Sequence, residues 1–384
     1  VNDEARQGKV GRGVAGGGAA AANPGATAEG RAAEANPGAA ADCCAPRPTA
    51  GALRSLLEAF AVGDAVGMAT EFMTRREIIE RFGMVGGLTD PALSRNHGDL
   101  RRGQVTDDTE QVLCLLDEYC VRGSIEPRQT AERLLRWVRE SGAVEKRYIG
   151  PSSKAALQAI AEGADPAEAG KRGTTCGGVM RSPSAALFAL CRGLPLAESV
   201  RACLLPTHNT EPALGAAMAY ARALEAALGG GSPDEVAAAA ASGEAEGARL
   251  APWPLCAPSV GGRAAHFRSI MAGFSGPDAA LDFLYGVFGT GLESADVAAA
   301  ALCIYFWAPD DPWLCVRMGA SVGGDTDTIA ALAGMLAAAT RAAERKGHGI
   351  PEGVLDEVLA ANSLDLAALA ERVAGADGES GAAR

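Results

Sequence analysis

The residues best suited to chemistry in this sequence are four aspartates in two short knots, Thr106-Asp107-Asp108-Thr109 and Gly323-Gly324-Asp325-Thr326-Asp327-Thr328. In the second knot the glycine pair breaks a preceding helix and lets the backbone turn, and an apolar helix follows at once through Leu336. Carboxylates and hydroxyls at a helix start face unsatisfied N–H donors and the positive end of the helix dipole. A heavily capped helix is therefore one reading of each knot. One or two aspartates suffice for a cap, however, and two acidic helix starts repel each other unless they lie apart or a cation sits between them. We read a cation. Thr106, Asp107, Asp108, Asp325, Asp327 and Thr328 offer hard oxygen ligands only, a set that suits Mg2+ or Mn2+ rather than zinc or copper. Four carboxylates neutralise two divalent ions, and such a pair orients a water and binds vicinal hydroxyls. The knots stand more than two hundred residues apart in the chain, so only the fold decides whether they meet.

Other polar positions carry two readings each. Asp64 and Glu71, seven residues apart in Gly63-Asp-Ala-Val-Gly67…Glu71-Phe72, share a face if two helical turns or a turn and a loop join them; Glu71 is equally a surface glutamate after a core helix. Gly150-Pro151-Ser152-Ser153 opens a helix with free N–H groups and hydroxyls, a seat for phosphate or a plain Pro/Ser start. Gly173 to Pro183 is a glycine-rich loop holding Cys176, Gly177 and Gly178 and feeding a helix from Ala185 to Cys191. His208, in Pro206-Thr-His-Asn-Thr210, heads a helix as a cap, a core hydrogen-bonder or a catalyst. Gly11-x-Gly13-x-x-Gly16 matches a dinucleotide-binding pattern by letters alone, with no strand before it, and is set aside.

The elements that must position these groups are helices. Nearly half of the 384 residues are apolar but only 5% are aromatic, so the core is built from Ala, Leu, Val and Met, in text with few β-branched runs. Helical spacing covers Ala52–Val62, Val112–Val121, Pro127–Glu140, Leu196–Leu204, Ala213–Leu228, Asp278–Phe288, Ala295–Phe306, Pro312–Ala320, Thr328–Arg345 and Leu364–Val373. Ala295–Phe306 is apolar enough to be central, and the acidic, Ala-rich stretch to Glu246 reads as an exposed helix. Neither a strand alternation nor a solenoid repeat is visible. Residues 1–50 are low-complexity Ala/Gly/Pro text that cannot offset its ordering entropy by burial. A formal charge of −12 argues against a nucleic-acid surface. The ten cysteines show no Cys-x-x-Cys spacing and read as reduced thiols. With no secretory segment and no apolar run long enough to span a bilayer, the expectation is a soluble, cytoplasmic protein.

The three motifs Gly63-Asp-Ala-Val-Gly67 with Glu71-Phe72, Thr106-Asp-Asp-Thr109 and Gly323-Gly-Asp-Thr-Asp-Thr328, in this order and separation, resemble the ADP-ribosylglycohydrolase family from Gly51 to about Val373. The resemblance implies an all-α, compact single-domain orthogonal helix bundle over 51–375, with a binuclear metal cleft, a disordered tail (1–50) and a flexible C-terminus (376–384). It implies two Mg2+ ions, or Mn2+, on Thr106, Asp107, Asp108, Asp325, Asp327 and Thr328, and a catalytic or gating role for Glu71 with Asp107 and Asp327 beside it. Gly150, Ser152, Ser153, Cys176, Gly177, Gly178, His208, Thr290, Gly291 and Leu292 match positions along an ADP-ribose groove, with the serines at the diphosphate and 290–292 at the adenosine half.

The implied reaction is hydrolysis of an N- or O-glycosidic bond to ADP-ribose on a protein or small molecule, through an oxocarbenium-like state. Members of the family often carry Asn where Cys176 and Thr290 stand. That departure leaves a smaller ribosyl substrate, such as a nucleoside, as an alternative, beside a non-catalytic ADP-ribose binder. A phosphatase reading of Asp325-x-Asp327 fails because that motif follows an apolar strand, not a glycine pair.

Overall fold

The computed structural model describes residues 47–144 and 148–375. The Gly11–Gly16 pattern, Cys43-Cys44, almost all of the 1–50 tail and the whole of 376–384 lie outside the described residues. The chain first forms α1 (Ala50–Gly67), α2 (Arg75–Phe82), α3 (Asp107–Arg122), α4 (Pro127–Ser141), α5 (Pro151–Ala161) and a single turn, α6 (Pro166–Ala169). Next come α7 (Gly177–Arg192), α8 (Leu196–Leu204), α9 (Glu211–Leu228), α10 (Pro233–Leu250) and α11 (Val260–Ile270). The remainder is α12 (Pro277–Phe283), α13 (Ser294–Trp307), α14 (Pro312–Ser321), α15 (Thr326–Ala343), α16 (Glu352–Asn362) and α17 (Leu366–Ala374). Among the described residues the one β pairing is an isolated antiparallel bridge, Thr175 to Glu293. The all-α expectation holds.

Two helices form the centre. α13 is buried at every position from Val297 to Phe306, and α15 is buried from Thr326 to Ala339, as an apolar surface on all sides requires. α15 packs most extensively on α1, with α14 alongside. That approach depends on absent side chains. A Cβ on Gly63 would lie 2.5 Å from the Ala331 Cα, and one on Gly67 would lie 2.4 Å from the Thr326 carbonyl oxygen. One turn apart on α1, the two glycines form a notch into which the α15 backbone fits, and the notch ends at the second acidic knot.

Three elements differ from the sequence reading. α7 begins at Gly177, eight residues before the expected start, and carries Pro183 inside it. Pro183 has no N–H for the Val179 carbonyl, but the Ser182 hydroxyl donates to that oxygen at 2.8 Å, so the helix continues through the proline. α10 is not simply exposed: it buries Val236, Ala240, Gly243 and Gly247 against α9. α12 ends at Phe283, and Leu284–Phe288 winds on as a π turn. The cysteines among the described residues are all free thiols. Among the described residues, no helix is long and apolar enough to cross a membrane.

Candidate active site

Neither knot needs its carboxylates for capping. At α3 the cap comes from elsewhere in the chain: Asp64, on α1, accepts the Thr106 N–H at 3.0 Å, the Thr106 hydroxyl at 2.9 Å and the Thr109 N–H at 3.1 Å. Thr106 in turn accepts the Asp108 N–H. Asp107 and Asp108 are thereby released from the helix end. At the second knot the backbone is satisfied by backbone. The Phe72 N–H donates to Gly324 O at 2.7 Å, the Gly324 N–H to Met73 O at 3.0 Å and the Asp325 N–H to Thr290 O at 2.8 Å. The Thr326 hydroxyl donates to Gly67 O and accepts from the Thr70 hydroxyl, anchoring the knot to α1.

The acids released in this way converge. Asp107, Asp108, Asp325, Asp327, Thr328 and Glu71 line one cleft of about 160 Å3. Its other walls include Tyr148, Gly150, Ser153, Cys176, Gly177 and Leu292. Asp108 Oδ1, Asp325 Oδ2 and Asp327 Oδ1 are buried without any hydrogen-bond partner, and no lysine or arginine is among the described residues lining the cleft. Burial, and then the charges of their neighbours, push Asp107, Asp108 and Asp327 well above the usual carboxylate range. Burial likewise raises Asp325 to about 6, against hydrogen bonds from Asp327, Cys176 and Thr328 that lower it. Buried acids with orphaned oxygens and no counter-ion among the lining residues have the chemistry of a cation site. Hard oxygen donors of this kind fit Mg2+ or Mn2+. In addition, Glu71, His97 and Asp327 bring one ligand atom each to within 4.8 Å of one another, a group that could hold a metal ion.

Glu71 is held firmly at this cleft. It ends the 3-10 turn Met68–Thr70, and Phe72 after it adopts φ 57°, a strained value for a non-glycine residue. The reciprocal bonds to Gly324 described above fix that strained backbone. The carboxylate Oε2 lies 2.6 Å from His97 Nε2 and 3.4 Å from Asn96 Nδ2. Burial pushes His97 down, but the hydrogen bond and charge of Glu71, aided by Asp64 and Asp99, outweigh it and leave the imidazole above its ordinary pKa. Sequence reasoning missed His97 and Asn96, and also the capping role of Asp64. A histidine in a polar, aperiodic loop gives no pattern signal; Asp64 was visible only as a carboxylate on a helix.

The substrate-side positions divide. Gly150, Ser153, Cys176, Gly177 and Leu292 line the cleft with the acids, and the Cys176 N–H donates to Leu292 O at 2.7 Å, so the glycine-rich loop and the 290–292 loop meet at its edge. Ser152 faces a neighbouring hollow with Lys171 and Arg172. Gly178 and His208 stand behind the wall: a Cβ on Gly178 would lie 2.9 Å from the His208 Cβ. His208 is fully buried between Thr207 (2.7 Å) and Thr175 (3.3 Å). Burial, then repulsion from Arg181, holds it well below its usual pKa and so neutral. Thr290 is buried with its carbonyl on Asp325, and Gly291 is exposed.

The profile of the ADP-ribosylglycohydrolase family matches residues 49–383. The chain is 30% identical to the uncharacterized protein YegU of Escherichia coli K12, over 79% of this chain and 91% of that protein. It is 27% identical to the ADP-ribosyl-[dinitrogen reductase] glycohydrolase of Rhodospirillum rubrum, over 78% and 87%. A solved structure titled ADP-ribosylglycohydrolase-related protein complex superposes with a TM-score of 0.61 at 26% identity, covering 85% of this chain and 98% of the other. The chain therefore belongs to the ADP-ribosylglycohydrolase family and is a glycosidase-type hydrolase.

Proposed function

We propose that this chain hydrolyses the bond at the anomeric carbon of ADP-ribose in adducts with protein side chains or small molecules, at a divalent-cation centre held by the two acidic knots. The observation that carries the reading is the convergence of Glu71, Asp107, Asp108, Asp325 and Asp327 on one cleft with three carboxylate oxygens lacking partners. Asp107, Asp108, Asp325 and Asp327, with the Thr106 and Thr328 hydroxyls, would hold the ions. Once bound, Mg2+ or Mn2+ supplies positive charge that binds ribose hydroxyls and acidifies a water.

The protein's own groups do the rest. Glu71, at the cleft and fixed on both backbone and side chain, takes the proton of the attacking water or gives one to the leaving group. Asp107 and Asp327 place negative charge beside the anomeric carbon, where positive charge grows in an oxocarbenium-like state. The Ser153 hydroxyl, and the first N–H groups of α5 beyond Gly150, offer donors to a diphosphate. Gly177 has no side chain to fill the cleft: a Cβ there would lie 2.9 Å from Ser153 Oγ. The names of relatives point to modified proteins as substrates, the dinitrogen reductase of R. rubrum and ADP-ribosylarginine in Pseudomonas putida.

A second reading, a nucleoside or other small ribosyl compound, draws on two observations. The cleft of about 160 Å3 is below the roughly 300 Å3 at which pockets for drug-sized ligands begin. Cys176 and Thr290 also stand where the resemblance drawn from the sequence leads one to expect asparagine. Incubation with Mg2+ and ADP-ribosylated arginine and serine peptides, alongside free nucleosides, separates the two. Release of ADP-ribose from a peptide supports the first reading; nucleoside cleavage without peptide turnover replaces it with the second.

A further inference from the structure

We propose that His97 is a positioning residue for Glu71, holding its carboxylate at the cleft in the orientation that proton transfer requires; the inference rests on the reading that Glu71 is the proton-transfer group. The contact is short and dry. His97 Nε2 and Glu71 Oε2 are 2.6 Å apart, with the imidazole 4% and the carboxylate side chain 12% exposed. A carboxylate accepts, so the neutral ring makes this contact as its Nε2–H tautomer, and the imidazolium also carries a proton on Nε2.

The loop that carries His97 is built onto the Glu71 segment at several points. Ser94 Oγ accepts the N–H groups of Asn96 (3.3 Å) and His97 (3.1 Å) and donates to Met68 O at 3.3 Å. Arg95 Nη1 donates to Phe72 O at 3.0 Å, and its other nitrogen pairs with Glu77. The Tyr148 ring meets the imidazole edge-on at 5.4 Å and fixes its tilt. The bonds that Ser94 and Arg95 send out of the loop end on Met68, Phe72 and Glu77, in the stretch that holds Glu71.

Glu71 shares its cleft with four aspartates, so the donors that hold its carboxylate must come from the side away from them. Because His97 and Asn96 both take Oε2, Oε1 is left to the cleft.

The test compares wild-type protein with His97→Ala, His97→Gln and Glu71→Gln. Gln can place an N–H near the Nε2 position, so it tests the donor rather than the ring. With an ADP-ribosylarginine peptide as probe, His97→Ala is expected to lower kcat by about 10²-fold with KM nearly unchanged. His97→Gln is expected to recover most of the loss, and Mn2+ affinity by calorimetry should match wild type in both. Wild-type kcat in His97→Ala overturns the proposal. So does His97→Gln as impaired as His97→Ala with both melting early, which is a packing role, or loss of Mn2+ affinity in His97→Ala, which makes His97 a ligand. If the wild-type protein turns over neither this probe nor an ADP-ribosylserine peptide, the proposed function has failed instead. The positioning contact is then decided by NMR of the His97 side-chain Nε2–H: a protected resonance that moves in Glu71→Gln supports it, and an exchanging, unchanged one overturns it.

Discussion

Replacing Gly67 by Ala probes how the fold delivers the second acidic knot. Gly67 closes α1, and its missing Cβ would lie 2.4 Å from the Thr326 carbonyl oxygen and 2.5 Å from the Asp327 Cα. Both are backbone atoms, so no side chain can swing away; α15 itself must back off by about 1 Å to reach ordinary contact. Overpacking of this kind costs about 1–3 kcal/mol, a fall in melting temperature of about 2–4 °C in a domain of this size. Gly63→Ala supplies the control. Its Cβ would lie 2.5 Å from the Ala331 Cα, a comparable clash one helical turn beyond the acids. Both variants should lose similar stability, but Gly67→Ala pushes directly on the residues at the acids. A shift of about 1 Å in Asp327 should weaken Mn2+ binding roughly tenfold or more, while Gly63→Ala stays close to wild type. Differential scanning calorimetry and titration calorimetry with Mn2+ measure the two effects. Wild-type stability in Gly67→Ala, or equal loss of Mn2+ affinity in both variants, would refute the reasoning.

Stability in chelator should follow the raised acids. Burial lifts Asp64 and Asp325 to about 6 from an ordinary 3.8. A carboxyl whose folded pKa exceeds its unfolded one contributes stability at low pH that is lost as pH rises from about 4 through about 6, roughly 3 kcal/mol for each such group. Its share of the melting temperature should therefore decline across that window, and Mn2+ should raise the midpoint more at pH 7 than at pH 5 in thermal scans; the opposite ordering contradicts the assignment. Asp327→Asn removes one of the mutually repelling charges, so in chelator it should melt at or above the wild-type temperature yet gain little from Mn2+. A variant that melts lower in chelator and still responds fully would show that Asp327 is structural. Glu71→Gln should lower turnover by at least about 10²-fold while leaving Mn2+ affinity nearly unchanged; parallel loss of both would make Glu71 a cation ligand.

What could be read from the sequence was what repeats or concentrates. The apolar run Val297–Phe306 announced a central helix because every face of α13 is buried. The doubled acids at Asp107-Asp108 and Asp325-x-Asp327 stood out as more than a cap needs, and the structure shows Asp64 and backbone groups doing the capping instead. Single residues acting at long range gave no sign of their partners. Asp64 reaches Thr106 across 42 positions, and His97 reaches Glu71 from a loop with no periodicity. Gly63 and Gly67 matched a motif, but their role as a notch for α15 depends on which helix lies opposite. Pro183 read as the end of the glycine-rich loop because the serine hydroxyl that takes the place of its missing N–H bond is a local detail of one turn.

The central claim is that two helix starts far apart in the chain make one acidic pocket for divalent cations. Calorimetric titration of chelator-stripped protein with Mn2+, and then Mg2+, tests it most directly. Saturable binding approaching two ions per chain, lost in an Asp107→Asn/Asp327→Asn variant that still folds, is the predicted result. Absence of binding heat, or binding that survives loss of both aspartates, would contradict it.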